Sequence, residues 1–406
     1  MNKPFDLIVF GASGFTGRLV AEYLNTAYGI GGELAWAMAG RNLDKLAKVR
    51  RAIGAGVALP LIAADASDAG ALAELVRQSR SLINTVGPYQ RYGRELVTAC
   101  AQAGTDYLDL CGEPAWMAQM IPLLDAPARE SGARIVFSCG FDSIPFDLGV
   151  VFLQNEARLR FGRSLVQVHG RVRKMKGKPS GGTIASLLET IEQMRRDPAV
   201  ARTMADPFAL TPGFQGPPQP ASASASYDEL AGSWTAPFVM APINTKNVHR
   251  SNALLGHPWG RDFVYDERML TGDGAKGELR ARRLARTTRV QNAMLALAPV
   301  RALLRRFVLP KPGEGPSAEE RESGGYGLLF IGQSADGRLL RASVRGVRDP
   351  GYGSTSRLIS ESALCLLKDV DRTATGGGVW TPGAAMGTKL IARLQARAGL
   401  TFALED

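Results

Sequence analysis

Three glycines near the start of the chain, Gly11, Gly14 and Gly17, have a spacing that could cradle phosphate groups. They stand between the apolar run FDLIVF and the segment RLVAEYL, whose apolar residues recur at helical spacing. A glycine-rich turn between a strand and a helix permits a tight bend, close approach of the backbone to a pyrophosphate, and a helix N-terminus that faces the phosphates. The pattern predicts a dinucleotide site, with a purely structural turn as the alternative. The residues expected to line it are Gly11, Ala12, Ser13, Gly14, Phe15, Thr16 and Gly17.

The end of the predicted second strand indicates which dinucleotide binds. An NAD-binding unit usually has an acidic residue there for the ribose 2′-hydroxyl, whereas this chain has Arg41 followed by Asn42. An arginine can pair with a 2′-phosphate and stack on the adenine, so the sequence favours NADP. The alternative is that Arg41 only caps its strand. Asp65 ends the third predicted strand and is expected at the adenine edge.

The segment SLINTVGPY, residues 81–89, is predicted to be the fourth strand. Parallel sheets bind ligands at the carboxyl ends of their strands. We therefore expect Val86, Gly87, Pro88 and Tyr89 beside the ribose and nicotinamide.

The residues that could supply a proton lie after the later strands. The candidates are Tyr107, Asp109, Glu113 and Asp142, and each also has a structural alternative, as a brace of the sheet or a helix cap. No tyrosine is followed four residues later by lysine, which argues against the short-chain dehydrogenase mechanism. There is also no GxSxG motif, which argues against a serine nucleophile.

These residues need a scaffold that brings strand ends together. Apolar strand-like runs alternate with amphipathic helix-like segments through about residue 140, which predicts a doubly wound parallel sheet, that is, an α/β Rossmann domain. Further along, YGLLFIGQSADGRLLRASVRG predicts a hairpin with Asp336 and Gly337 at its turn. A chain of 406 residues is long enough for two domains, each with its own hydrophobic core.

Composition narrows the possible partners. The formal charge is +11, and the segment Lys276–Lys311 carries ten basic residues and one acid. Apolar residues at helical spacing occupy 290–307, and three interpretations stay open: a solvated helix, an interfacial helix on an anionic membrane, or a mouth for a lipid-like substrate. No nucleic-acid-binding motif accompanies the charge, so we expect no nucleic-acid partner.

The remaining composition favours a cytoplasmic protein, with peripheral contact at the inner face of the membrane as an alternative. Four cysteines have no CxxC spacing, and the apolar run near the start is too short for an export signal. Three histidines form no metal-binding pattern, so no metal is expected.

Several motifs in order, GASGFTG, AGRN, NTVGPY, YLDLCGE, CGFDSIPFDLG and TPGAAMG, extend over nearly the whole chain. Together they resemble the saccharopine dehydrogenase-like oxidoreductases, and among these the trans-acting enoyl reductases. The resemblance implies NADPH as cofactor, with its dinucleotide motif at Gly11–Gly17 and its phosphate-selecting arginine at Arg41. It also implies a Rossmann domain, a second α+β substrate domain with a mixed or antiparallel sheet, and C-terminal helices that return to the first domain. The expected limits are 1–145, 146–352 and 353–406.

Three functions are compatible with these features. The first is NADPH-dependent reduction of an activated double bond in a lipid or polyketide acyl substrate, free or presented by an acidic carrier protein. The second is an NADP-dependent amino-acid or imine dehydrogenase. The third is a non-catalytic, membrane-associated NADP-binding scaffold. A homodimer is compatible with all three.

Overall fold

The computed structural model describes residues 3–177, 181–297, 299–301 and 315–406. The chain forms two β-sheets, A and B, each with seven strands in the described ranges. Helices connect the strands of both sheets. Sheet A has the strand order β13-β6-β5-β4-β1-β2-β3, and its neighbours pair in parallel. This is the predicted doubly wound sheet.

The strands of sheet A are β1 (Phe5–Phe10), β2 (Trp36–Gly40), β3 (Leu61–Ala63), β4 (Ser79–Asn84), β5 (Asp106–Asp109), β6 (Arg134–Val136) and β13 (Gly378–Trp380). The helices that alternate with them are α1 (Phe15–Tyr28), α2 (Leu43–Ala52), α3 (Ala69–Arg77), α4 (Tyr89–Tyr92), α5 (Arg94–Ala103) and α6 (Pro114–Ser131).

The central strand β1 explains why its sequence is apolar throughout. It pairs in parallel with β2 on one side and β4 on the other, so both of its faces are covered by helices. Leu7 and Val9 enter one hydrophobic core, and Ile8 and Phe10 enter the other. Because side chains alternate along a strand, a buried parallel strand needs apolar residues at every position.

Sheet B is mixed, with the order β14-β12-β11-β7-β10-β9-β8. Its longest strand, β7 (Leu165–Lys176), pairs in parallel with β10 (Val264–Gly272) and antiparallel with β11 (Gly325–Ser334). The predicted hairpin is confirmed as β11–β12, with Gly337 at φ 86° in its turn. The strands are β7 (Leu165–Lys176), β8 (Ser226–Asp228), β9 (Ser233–Pro237), β10 (Val264–Gly272), β11 (Gly325–Ser334), β12 (Leu339–Gly346) and β14 (Leu400–Glu405).

Helices α7 to α14 follow the Rossmann units along the chain, with π-helical turns at Pro350–Ser354 and Cys365–Asp369. They are α7 (Ile144–Phe161), α8 (Gly181–Arg196), α9 (Pro198–Ala205), α10 (Ala241–Leu254), α11 (Gly274–Leu295), α12 (Ala318–Glu322), α13 (Thr355–Leu364) and α14 (Pro382–Arg397). In the described residues, no helix combines the length and apolar character needed to cross a bilayer.

The C-terminal helices return to the Rossmann unit, as the resemblance implies. Glu361 of α13 is fully buried and accepts hydrogen bonds from Tyr23 (2.5 Å) and Tyr28 (2.8 Å) of α1. Arg393 of α14 donates to the same carboxylate at 2.7 Å. The segment is not only helical, because β13 adds to sheet A and β14 adds to sheet B. The three predicted domain ranges themselves stay predictions.

The structure corrects one element boundary near the site. The fourth strand ends at Asn84, not at Tyr89, and Tyr89 instead begins α4. The Asn84 side chain accepts a hydrogen bond from the backbone N–H of Val86 at 2.9 Å. The Val86 N–H thus bonds to a nearby side chain instead of to a neighbouring strand. This local hydrogen bond ends the strand and turns the chain away from sheet A.

Candidate functional site

The glycine-rich turn after β1 has the form of a phosphate cradle. Gly11 has a φ of 83°, and a Cβ atom there would lie 2.7 Å from Thr85 Oγ1. A Cβ on Gly14 would lie 3.2 Å from the Gly11 carbonyl oxygen, and one on Gly17 only 2.2 Å from it. Ser13 and Gly14 are exposed, whereas Ala12 and Gly17 are buried. The backbone is therefore bare where a pyrophosphate would approach, and α1 begins at Phe15 directly behind it.

Replacing Gly17 by alanine should damage this cradle. The new methyl group would meet the Gly11 carbonyl, a backbone atom that cannot move aside without opening the turn. Overpacking of about 1–3 kcal/mol implies roughly tenfold weaker NADPH binding, together with a lower melting temperature. Calorimetric titration and thermal unfolding measure the two effects. Gly56→Ala is the matched control, because nothing lies within 4 Å of a Cβ at that position. Wild-type affinity and stability in Gly17→Ala would show that the turn has room for a side chain.

Arg41 and Asp65 meet at the end of β2 and β3. The Arg41 side chain is 80% exposed, and its Nε lies 3.9 Å from Asp65 Oδ2, so the ion pair is loose. Asp65 also accepts hydrogen bonds from the Ser67 backbone (2.9 Å) and hydroxyl (2.8 Å), which lower its pKa. Asn42 caps α2 by accepting from the Lys45 N–H at 2.9 Å. The guanidinium of Arg41 is thus available to an anion, while Asn42 orients the helix beside it.

The residues after β4 form the next part of the site edge. Thr85 is held to β1 by its hydroxyl, which donates to the Phe10 carbonyl at 2.9 Å. The Gly87–Pro88 peptide bond is cis. Tyr89 is buried, and its hydroxyl donates to the Asn84 carbonyl and accepts from the Leu110 N–H, each at 3.1 Å. Burial raises the pKa of Tyr89 well above its usual value. Val86, Gly87 and Pro88 therefore form the surface of this loop, and Tyr89 fixes it from within.

Two of the four proton-donor candidates form a buried brace between strand ends. Tyr107 and Asp109 are both fully buried, and the Tyr107 hydroxyl donates to Asp109 Oδ2 at 3.0 Å. Asp109 also accepts from the backbone N–H groups of Cys111 (2.9 Å) and Ser138 (3.0 Å). Burial raises the pKa of Asp109 to about 7, although these donors oppose the shift. The pair ties the carboxyl end of β5 to the segment after β6.

Glu113 holds the start of α4. It is almost fully buried and accepts from the backbone N–H groups of Tyr89 (3.0 Å) and Gln90 (2.9 Å). The Ser186 hydroxyl of α8 donates to the same carboxylate at 2.8 Å. Burial raises the pKa of Glu113, opposed by these hydrogen bonds. Glu113 therefore links the loop after β4 to α8, the helix that follows β7 in the chain.

Asp142 differs from the other three candidates. It follows β6 at the same edge of sheet A and is partly exposed. None of the residues that the structure describes donates a hydrogen bond to its carboxylate, and burial alone raises its pKa to about 6. A carboxyl group that is largely desolvated, unpaired and still accessible can hold a proton near neutral pH and release it to a ligand.

Residues far along the chain also reach this edge, and the sequence motifs did not single them out. The Tyr352 hydroxyl lies 2.8 Å from Thr183 Oγ1 at the start of α8, and the Tyr352 ring meets Phe15 edge-on at 5.0 Å between centroids. Ser186 approaches the position a Cβ of Gly87 would occupy, at 3.8 Å. The only sequence signal for Tyr352 is its place between two glycines, Gly351 and Gly353. The approach of these segments depends on how sheet B packs on sheet A.

The apolar and basic segment 290–307 is described only in part. α11 ends at Leu295, and residues 298 and 302–307 lie outside the described residues. Val290, Met294 and Leu297 are about half exposed, at 49%, 51% and 55%. This part of the segment therefore presents apolar side chains to solvent.

Comparison with known proteins agrees with this architecture. Residues 7–136 match the family model of the saccharopine dehydrogenase NADP binding domain. A Mycobacterium tuberculosis protein named "Putative trans-acting enoyl reductase" is 42% identical over 97% of this chain and 96% of its own length. Another, from Mycobacterium bovis, is 38% identical with the same coverage. Saccharopine dehydrogenase from Saccharomyces cerevisiae has a similar fold, with a TM-score of 0.54 at 12% identity over 99% of this chain and 100% of that one.

These similarities confirm two predictions from the sequence, namely NADP as the cofactor and an oxidoreductase as the class of enzyme. The matched domain binds NADP, and it contains the cradle of Gly11–Gly17 and the exposed Arg41. The protein is thus an NADP-dependent oxidoreductase, which excludes a purely non-catalytic scaffold. With full-length relatives well above 30% identity, the chain belongs to the trans-acting enoyl reductase family and carries a saccharopine dehydrogenase-type NADP-binding domain.

Proposed function

We propose that this protein reduces an activated carbon–carbon double bond in an acyl thioester with NADPH. The observation that carries the proposal is the placement of Asp142, an accessible carboxyl with a raised pKa, at the same sheet edge as the glycine cradle. The names of the relatives support the same reaction class. An amino-acid dehydrogenase, the second function considered, has no comparable support among them.

The residues present fit the cofactor. The bare backbone of Gly11, Gly14 and Gly17 would hold the pyrophosphate at the N-terminus of α1, and Arg41 would hold the 2′-phosphate. Val86, Gly87 and Pro88 would contact the ribose and nicotinamide, since they form the loop after the strand next to β1. When bound, NADPH supplies a hydride to the β carbon of the double bond.

Asp142 would complete the reduction by giving a proton to the α carbon. Hydride addition leaves an enolate, and the balanced product requires one proton from an acid. Asp142 can hold that proton at pH values near 6, because its surroundings disfavour the ionised form. Its carboxylate is afterwards reprotonated from solvent, which its partial exposure permits.

The other three candidates act as positioning residues in this proposal. Tyr107 and Asp109 are fully buried and hydrogen-bonded to each other, so they hold the strand ends instead of touching substrate. Glu113 holds the loop that contains Gly87 and Pro88 against α8. This division of roles follows from accessibility, because a proton donor must reach the reacting atom.

We also propose that the acyl group is presented by another polypeptide, since the relatives are named as acting in trans. Peripheral membrane contact through 290–307, of which 298 and 302–307 lie outside the described residues, and a homodimer are further proposals for the assembled protein.

The test is a comparison of substrates with the purified protein. We expect NADPH oxidation with a trans-2-enoyl thioester, followed by nicotinamide absorbance, and formation of the saturated thioester by mass spectrometry. With 4-deuterated NADPH, deuterium should appear at the β carbon. A set of 2-imino acids serves as the comparison. Turnover of the imino acids with none of the enoyl thioester would replace this proposal by the dehydrogenase function.

A further inference from the structure

The solvent-facing side of α11 has an unusual surface. The helix packs on sheet B through Gly277, Ala281 and Ala285, which are spaced four residues apart and buried. A Cβ on Gly277 would lie 2.0 Å from the Gly272 carbonyl oxygen, so the helix approaches the strand very closely on this side. Long side chains are therefore confined to the opposite face of α11.

That opposite face, which we call the α11 ridge, consists of Leu279, Arg283, Arg286, Val290 and Met294, which follow one another at spacings of three or four residues. Leu279 is 69% exposed, and both arginines are exposed. Further basic side chains lie beside the ridge, at Lys276, Arg280, Arg282 and Arg289.

The ridge is strongly positive. α11 contains six basic residues and one acid, Glu278, which pairs with Arg282 at 2.6 Å. Such a surface attracts an acidic partner and steers its approach. Its combination of arginine and methionine with exposed apolar residues is typical of protein interfaces, where arginine and methionine are enriched and lysine is depleted. Membrane-surface helices rely on tryptophan or phenylalanine as well, and α11 has no aromatic residue.

The α11 ridge also has a structural connection to the candidate site. Arg195, near the end of α8, donates to the carbonyl of Ala296 at the end of α11 at 2.5 Å. In the first half of α8, Ser186 donates to Glu113, which holds the loop that contains Gly87 and Pro88. The nine helical steps from Ser186 to Arg195 span about 14 Å. A substrate on a flexible arm can bridge this distance between the α11 ridge and the candidate site.

We infer that the α11 ridge is the docking surface for an acidic acyl carrier protein that delivers the enoyl thioester to the site. The inference rests on the proposed function and adds where the partner binds. The arginines would pair with carboxylates on the carrier, while Leu279, Val290 and Met294 would pack against its apolar residues.

The experiment uses Arg283→Glu plus Arg286→Glu in the full chain. With an enoyl group on an acidic acyl carrier protein, we expect kcat/KM to fall about tenfold or more, because charge reversal slows association. With the same enoyl group on N-acetylcysteamine, kcat/KM should stay within about twofold of wild type. Arg51→Glu plus Lys48→Glu, two exposed basic residues of α2, is the control with the same charge change and should leave both values unchanged.

A direct measurement of carrier binding tests the docking surface independently of the reduction reaction. Fluorescence anisotropy of the labelled carrier protein should show an affinity that weakens with salt and is lost in the ridge variant. Equal affinity of wild type and variant would overturn the inference even if enoyl reduction is correct. The inference would also be overturned if the α11 ridge bound vesicles containing phosphatidylglycerol but did not bind the carrier protein. If neither thioester is reduced, the proposed function fails, and the anisotropy result still decides the docking surface.

Discussion

Asp142→Asn should reduce kcat for enoyl thioester reduction by about 100-fold or more, the usual range for loss of a general acid. The substitution keeps the size of the side chain but removes its acidic proton. Because none of the described residues donates a hydrogen bond to Asp142, folding should be little affected. Steady-state kinetics and thermal unfolding measure the two properties separately.

The pH dependence should identify Asp142 more specifically than the rate alone. A donor must be protonated, and the pKa of Asp142 is raised to about 6. In the wild type, kcat should therefore be constant below about pH 6 and fall about tenfold per unit above it. In Asp142→Asn the residual rate should not vary with pH across this range.

The matched comparison is Asp125→Asn, which alters a partly exposed ion pair with Arg129 on α6 and keeps an oxygen that can accept from the Val379 N–H. It should leave kcat and its pH profile unchanged, because exposed i,i+4 pairs contribute only about 0.3–0.5 kcal/mol. A wild-type profile in Asp142→Asn would exclude Asp142 as the proton donor. In that case water or another residue at this sheet edge would have to supply the proton.

Arg41→Ala should remove the preference for NADPH over NADH. The charge-assisted hydrogen bonds of a guanidinium to a phosphate contribute about 1.5–3 kcal/mol, so the dissociation constant of NADPH should rise about 10- to 100-fold. The affinity for NADH should change little, because NADH has no 2′-phosphate. Calorimetric titration with both nucleotides measures the difference.

Two further variants separate the role of charge from that of shape at this position. Arg41→Lys keeps the charge but loses the planar fork, so it should restore only part of the NADPH affinity. Arg51→Ala, at the other end of α2, is the control and should bind both nucleotides like wild type. Equal losses for NADPH and NADH in Arg41→Ala would assign Arg41 to stacking on the adenine alone or to capping the end of its strand.

The strand, turn and helix proposed as the cofactor site could be predicted from the sequence because these parts are local. A strand, three glycines and a helix are contiguous in the chain, and a Cβ at each glycine would make a close contact within that turn or with the loop after β4. The position of Arg41 follows from the end of the next strand. The hairpin with Gly337 is equally local, since its turn alone requires the positive φ.

The proton-donor candidates could not be ranked in this way. Tyr107, Asp109, Glu113 and Asp142 all follow strands of one sheet, and the sequence gives them equal standing. Only the packing of neighbouring segments distinguishes them: Asp109 meets two backbone N–H groups, Glu113 meets Ser186, and Asp142 meets no donor among the described residues. The boundary of β4 at Asn84 likewise depends on side-chain hydrogen bonds, including one to Tyr107.

The sequence by itself thus determined the fold class and the nucleotide, and it predicts which residues would hold the phosphates, because short-range backbone geometry and strand-end positions encode them. The tertiary structure decided which carboxyl group is accessible and desolvated, and it brought Thr183 and Tyr352 to the first glycine-rich turn. Accessibility and long-range contacts depend on how whole sheets pack together. No local pattern of residue types contains that information.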